Sequence, residues 1–177
     1  MRRSEHQFAL GLGVGRAMTV IVHGHFGRPV LVFPSEAGRA WDLENNGMVD
    51  AVADLIDDGR VKLYCVDSLD DWTWSDRALP TEERAVRHGV YMRWLLDTVV
   101  PFIHADSSPD AELITVGCSL GAYHAVQFAL QRADLAPLAI GMSGTTTSGA
   151  GAPGGRPVTR RTSPTRPTTY RTSAVTT

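Results

Sequence analysis

The chain has 177 residues, a formal net charge of −2 and 43% hydrophobic residues. That length and composition suit one globular domain with a real core. They exclude a strongly basic nucleic-acid binder, and no apolar run is long enough to span a membrane as a helix.

Charge is unevenly spread. Residues 144–177 hold five arginines and no acid, leaving twelve basic and nineteen acidic residues, net −7, in the part before them. The acidic body argues against a nucleic-acid partner, and the basic tail lacks aromatic interleaving beyond Tyr170. The only cysteines, Cys65 and Cys118, sit in apolar strand-like segments, which suits buried thiols in a reducing cytoplasm.

Residues 1–17 read as a disordered leader. Met1-Arg2-Arg3 and the apolar Phe8 to Val14 imitate a signal peptide, but Glu5 interrupts the basic end and no small-x-small cleavage site follows. Gly11-x-Gly13-x-Gly15 precedes a strand instead of opening a helix, so it is no dinucleotide site. Strands are predicted at 19–23 and 29–33, joined through His25-Phe26-Gly27-Arg28 as a hairpin. His23 and His25 would share a strand face, but no third metal ligand stands near them.

A helix is predicted over 47–57, with Met48, Val52, Leu55 and Ile56 on one face. A strand over 61–66 leads into an acidic loop bearing Asp67, Asp70, Asp71, Trp72 and Trp74. Thr81 can cap a helix over 82–103, with Glu82 and Glu83 favourable in its first turn. A strand over 112–117, a helix over 120–132 and a strand over 138–142 complete the pattern. Strands alternating with helices imply a mostly parallel α/β sheet over residues 18–143. Ser35, Asp67, Ser119 and Ser143 then lie at or past strand ends, where such sheets bind ligands.

Gly117-Cys118-Ser119-Leu120-Gly121 carries the most chemistry. It reads GxSxG between a predicted strand and a predicted helix. A serine on that turn has an exposed hydroxyl in a strained backbone conformation. Side chains in place of the glycines would collide with the neighbouring strand and helix. The first amides of the helix point at the same spot and can hold an oxyanion. The alternative is a Gly-rich turn with an incidental serine. The flanking elements favour a nucleophile elbow and acyl transfer through a serine ester.

Three stretches resemble a bacterial esterase branch of the α/β-hydrolase superfamily: Gly24 to Pro34, Tyr64-Cys65-Val66-Asp67-Ser68, and Gly117 to His124. The similarity runs from about Thr19 to Ser143. It implies an α/β-hydrolase fold with Ser119 as nucleophile and the Leu120 amide as one oxyanion donor. The second donor would come from the loop after Phe33, at Ser35 or Glu36. It implies a small-molecule ester substrate and no cofactor or metal.

The chain departs from that pattern where the acid and histidine should follow the serine. No histidine follows His124 and no acid follows Asp134. His124, five residues past Ser119 on one helix, points about 140° away and reads as a surface or packing residue. His88 and His104 read as solvated. Residues 144–177, with eleven threonines, have the composition of a disordered segment.

A frameshift near Thr145 accounts for that abrupt change. The chain uses sixteen arginines and one lysine, a sign of GC-rich DNA. Codons can be chosen for residues 162–177 so that reading one base earlier gives YFTNPTDYVPHLRGDH, similar to a stretch these esterases carry after the elbow helix and its strand. The expectation is an incomplete α/β-hydrolase fold with little activity. Its apolar sheet edge would be left exposed and prone to self-association.

Overall fold

The computed structural model describes residues 1–11 and 15–144. The expectation of a disordered tail falls on residues 145–177, outside the described part. Six strands form one sheet: β1 (Arg3–Ala9), β2 (Ala17–His23), β3 (Arg28–Phe33), β4 (Val61–Val66), β5 (Ile114–Cys118) and β6 (Leu138–Met142), in the order β1-β2-β4-β3-β5-β6. β3 runs parallel to β4 and β5, and β5 parallel to β6, while β2 is antiparallel to both β1 and β4. The sheet is therefore mixed but mostly parallel over its central and C-terminal strands, as expected.

The central strands are rich in Val, Ile and Leu because both their faces are covered. Val20, Val22, Leu31, Phe33, Tyr64 and Val66 belong to one core, and Ile21, Val30, Val32, Leu63 and Cys65 to the other. Helices α1 (Asp42–Asn45), α2 (Met48–Ala51) and α3 (Ala53–Asp57) cover the second face. Helices α4 (Thr81–Trp94), α5 (Val100–Asp106) and α6 (Leu120–Gln131) cover the first. Among the described residues no helix is long and apolar enough to cross a membrane.

Several expectations are corrected. Residues 3–9 are not a disordered leader but strand β1, paired over its whole length with β2. Its side chains alternate between exposed and half-buried, so an edge strand of mostly polar residues was hidden from an apolar scan. β2 and β3 do not form a hairpin, because β4 lies between them. Their connection turns at Gly24 (φ +108°) and Gly27 (φ +115°), and a side chain on Gly27 would strike the backbone of Gly59–Val61. The expected helix over 47–57 is two short pieces, α2 and α3, that bury Val49 and Ile56 while Met48 and Leu55 stay exposed. The long helix keeps its span but passes through a π-turn over Leu95–Val99. Pro101, which has no N–H to give and crowds the carbonyl four residues back, follows directly.

Candidate active site

β5 ends in the elbow. Ser119 has φ 56° and ψ −121°, a conformation rarely adopted by a non-glycine residue, and its side chain is exposed. The serine is held on both sides: its N–H donates to the Met142 carbonyl (3.0 Å), and its own carbonyl accepts from the Ala122 N–H (3.1 Å). Both glycines of the motif are sterically required. A side chain on Gly117 would run into the backbone of Gly121, and one on Gly121 into the carbonyls of Phe33 and Pro34. The second clash also shows why the loop after β3 sits beside the elbow.

The strand register leads to the same place. Phe33 pairs with Gly117, so Ser35 and Ser119 each stand two residues past a matched pair at the carboxyl edge. Ser35 and Glu36 are exposed there, in a turn closed by the Gly38 N–H on the Ser35 carbonyl (2.9 Å). The Leu120 N–H opens α6 and has no acceptor one turn back. The expected nucleophile and all three expected oxyanion residues thus gather at one edge. Next to them a cavity of about 370 Å³ is lined mainly by apolar groups, with Val32, Val116 and Met142 on its walls and Ser35, Arg39 and Cys118 among its lining. Ser119 itself lies outside that lining.

Two other expected crevice residues do not join the site in the same way. Asp67 is buried, its carboxylate accepting from the Thr19 N–H (2.8 Å) and the Ala40 N–H (3.0 Å). It pins β2 and the segment before α1, a structural role. Ser143 is exposed at φ 47° just past β6. Cys118 was expected to be buried but is exposed, because alternate β5 residues face the side that α1–α3 leave open.

The histidines differ most from expectation. His88 is buried, not solvated, and His104 is half-buried on α5. His124 is a packing residue and more: its Nε2 lies 2.8 Å from Asp70 Oδ1 and its Nδ1 3.2 Å from His88 Nε2. A carboxylate only accepts, so His124 Nε2–H donates to it. Asp70 Oδ2 also accepts the Ala37 N–H (3.1 Å). Asp70, His88 and His124 are all essentially inaccessible to solvent. Burial, then the neighbouring His124, push the His88 imidazole down to about 3, so it is neutral at physiological pH. The acidic Trp-bearing loop was visible in the sequence. Its pairing with two histidines was not, because it depends on α4, α6 and the loop after β4 meeting in space.

No family model matches the chain, and no curated protein matches it in sequence. Solved structures do match it in shape. An S-formylglutathione hydrolase from Staphylococcus aureus is 12% identical with a TM-score of 0.59, the alignment covering 81% of this chain and 59% of that one. A ferulic acid esterase is 12% identical at a TM-score of 0.61, covering 81% and 60%. A fluorophosphonate-binding serine hydrolase of S. aureus is 14% identical at 0.58, covering 81% and 57%. The chain therefore spans about three fifths of the length of these structures. What the likeness establishes is architecture: the chain has the α/β-hydrolase fold.

Proposed function

We propose that this chain carries the nucleophile and oxyanion half of a serine esterase, and that as it stands it turns over esters little above buffer. The observation that carries the first part is the backbone of Ser119, held at φ 56° and ψ −121° between two glycines that cannot be replaced without collision. In this reading Ser119 Oγ attacks the carbonyl of a small carboxylic ester. The amides of Leu120 and of Ser35 or Glu36 hold the oxyanion. The alcohol leaves with a proton, and water later releases the acid. The substrate is a small molecule. Two free thiols support a reducing, cytoplasmic setting.

The second part rests on the base. His88 and His124 are buried and engaged with each other and with Asp70, and no histidine follows them. A serine without a base is a weak nucleophile near neutral pH. A non-catalytic α/β-hydrolase-like domain is the second reading, and the same engaged histidines favour it. An acyltransferase would use the same serine ester with an alcohol in place of water. We attribute the missing acid and histidine to a frame change near Thr145, which the gene's nucleotide sequence tests directly.

The enzymatic test uses activated aryl esters. The 177-residue chain should hydrolyse them barely above buffer, and Ser119→Ala should change that little. A chain with its frame restored should hydrolyse them readily and lose this on Ser119→Ala. Ordinary enzymatic turnover by the chain as given, abolished by Ser119→Ala, would overturn the claim that it lacks a base.

A further inference from the structure

The Asp70 carboxylate touches two segments that otherwise belong to different parts of the fold. Oδ1 accepts from the Nε2–H of His124, one turn into α6, the helix that opens with the Leu120 amide. Oδ2 takes the Ala37 N–H, next in sequence to Ser35 and Glu36. Ala37 is one of three non-glycine residues with positive φ among the described residues, at 56°. Such a conformation persists when its surroundings over-determine it. A second tie runs alongside: Ser75 Oγ donates to Glu36 Oε1 (2.6 Å), and the Ser75 N–H donates to the Asp70 carbonyl (2.9 Å).

We propose that Asp70 is a positioning residue for the oxyanion site. Its carboxylate, through His124 on one side and Ala37 on the other, sets the distance between the two amides that receive the oxyanion. This rests on the reading of Ser119 as nucleophile. His88 completes the chain: a single proton lies between its Nε2 and His124 Nδ1, and this contact helps fix the ring that faces Asp70. Packing serves the same end, since the His88 and His124 rings stack at 5.2 Å and His124 meets the Tyr91 ring edge-on at 5.5 Å. Two bonds ending on one buried carboxylate, one on each oxygen, leave neither of its oxygens unpaired. An oxyanion site works through donors placed before the reaction, so a loosened loop loses its effect without losing its residues.

A test is needed that reads the oxyanion site without a base. Phenylboronic acid supplies it. The Ser119 Oγ–B bond forms, boron becomes tetrahedral and anionic, and the hydroxyl proton goes to solvent. Affinity is read from the tetrahedral ¹¹B signal, and loop order from amide exchange over residues 34–38, with β4 as internal control. Asp70→Ala and His124→Phe should each speed exchange in that loop and weaken the boronate by about tenfold or more, leaving β4 exchange unchanged. His124→Gln, which keeps a donor, should restore most of both. Loop exchange unchanged in these variants would overturn the proposal, as would faster exchange with unchanged boronate affinity. If Asp70→Ala does not fold, His124→Phe against His124→Gln decides. A wild-type chain that forms no adduct, or one indifferent to Ser119→Ala, overturns the nucleophile reading and this proposal together. An adduct that needs Ser119 but ignores Asp70 and His124 overturns this proposal alone.

Discussion

Lowering the pH should destabilise this protein well above the range where carboxylates titrate, and His88 should be a principal cause. The ring is buried against Trp74 and Tyr123, stacked on His124, and faces Asp70 through that second ring. Burial and His124 hold its imidazole down to about 3, with Asp70 opposing them weakly. An unfolded chain binds that proton near 6.5. Between those limits the unfolded state carries more protons, so stability rises with pH and is lost as pH falls below about 6.5. One proton is worth about 1.4 kcal/mol per pH unit, so moving from pH 7 to pH 5 should cost about 2 kcal/mol from His88 alone. His23, also held down by burial, adds in the same direction. Asp71 and Glu44, whose carboxyls are held down by Arg16 and Arg3, contribute only lower, as pH falls through the ordinary carboxylate range.

The assay is urea unfolding at pH 7, 6 and 5 for the wild type and His88→Gln. His23 and His124 are present in both, so the difference in slope isolates His88. The variant should lose about one proton's worth of pH dependence across this window. The His88 ring in the folded wild type should also remain unprotonated by NMR down to about pH 4. Equal slopes in the two proteins, or a folded-state His88 that titrates near 6.5, would refute the reasoning.

Other perturbations have equally definite outcomes. Gly121→Ala pushes a methyl into the carbonyls of Phe33 and Pro34, so it should destabilise the chain by about 1–3 kcal/mol or more, read as a lower urea midpoint. Asp67→Ala leaves the N–H groups of Thr19 and Ala40 buried without that acceptor, at about 1–3 kcal/mol each; a loss under 1 kcal/mol would show that water or another acceptor replaces it. β6 is a sheet edge among the described residues, with Leu138 and Ile140 each 45% exposed, so the chain should self-associate. Ile140→Lys should raise the monomer fraction in size-exclusion chromatography, and a wild type that is monomeric at high concentration would count against the edge as the contact.

The elbow was legible in the sequence because its determinants are local. Two glycines, a serine, an apolar run before and helix formers after lie within about twenty residues, and each states a steric or hydrogen-bonding requirement of its own neighbours. The strands from β2 onward were legible for a similar reason, since buried parallel strands read as continuous runs of branched apolar residues. β1 was not. Arg3 to Ala9 places Ser4, His6 and Phe8 inward, and only one of these is apolar. Its pairing with β2, not its composition, makes it a strand. The β2–β3 hairpin failed on the same kind of information. Chain proximity favoured pairing neighbours, whereas the crossover to β4 depends on Gly27 letting two backbones approach, a contact between residues about thirty apart.

The histidines show most clearly where local reasoning stops. His88 sits on a helix among charged residues, and a local reading gives a solvated side chain. Its burial comes from α6 and the 70–75 loop closing over it, which no window on α4 contains. His124 was placed by helix geometry as turned away from Ser119, a surface or packing residue, and in the structure it is fully buried. What helix geometry could not supply is the direction in which the ring points, toward Asp70 and, through it, toward Ala37. On the reading proposed above, a histidine that is not the base still acts on the same reaction. It stands one turn below the Leu120 amide, on a carboxylate that also holds the loop bearing Ser35 and Glu36. The two expected oxyanion donors come from segments more than eighty residues apart in sequence. The β3–β5 register brings those segments to one edge, and the buried carboxylate fastens them there.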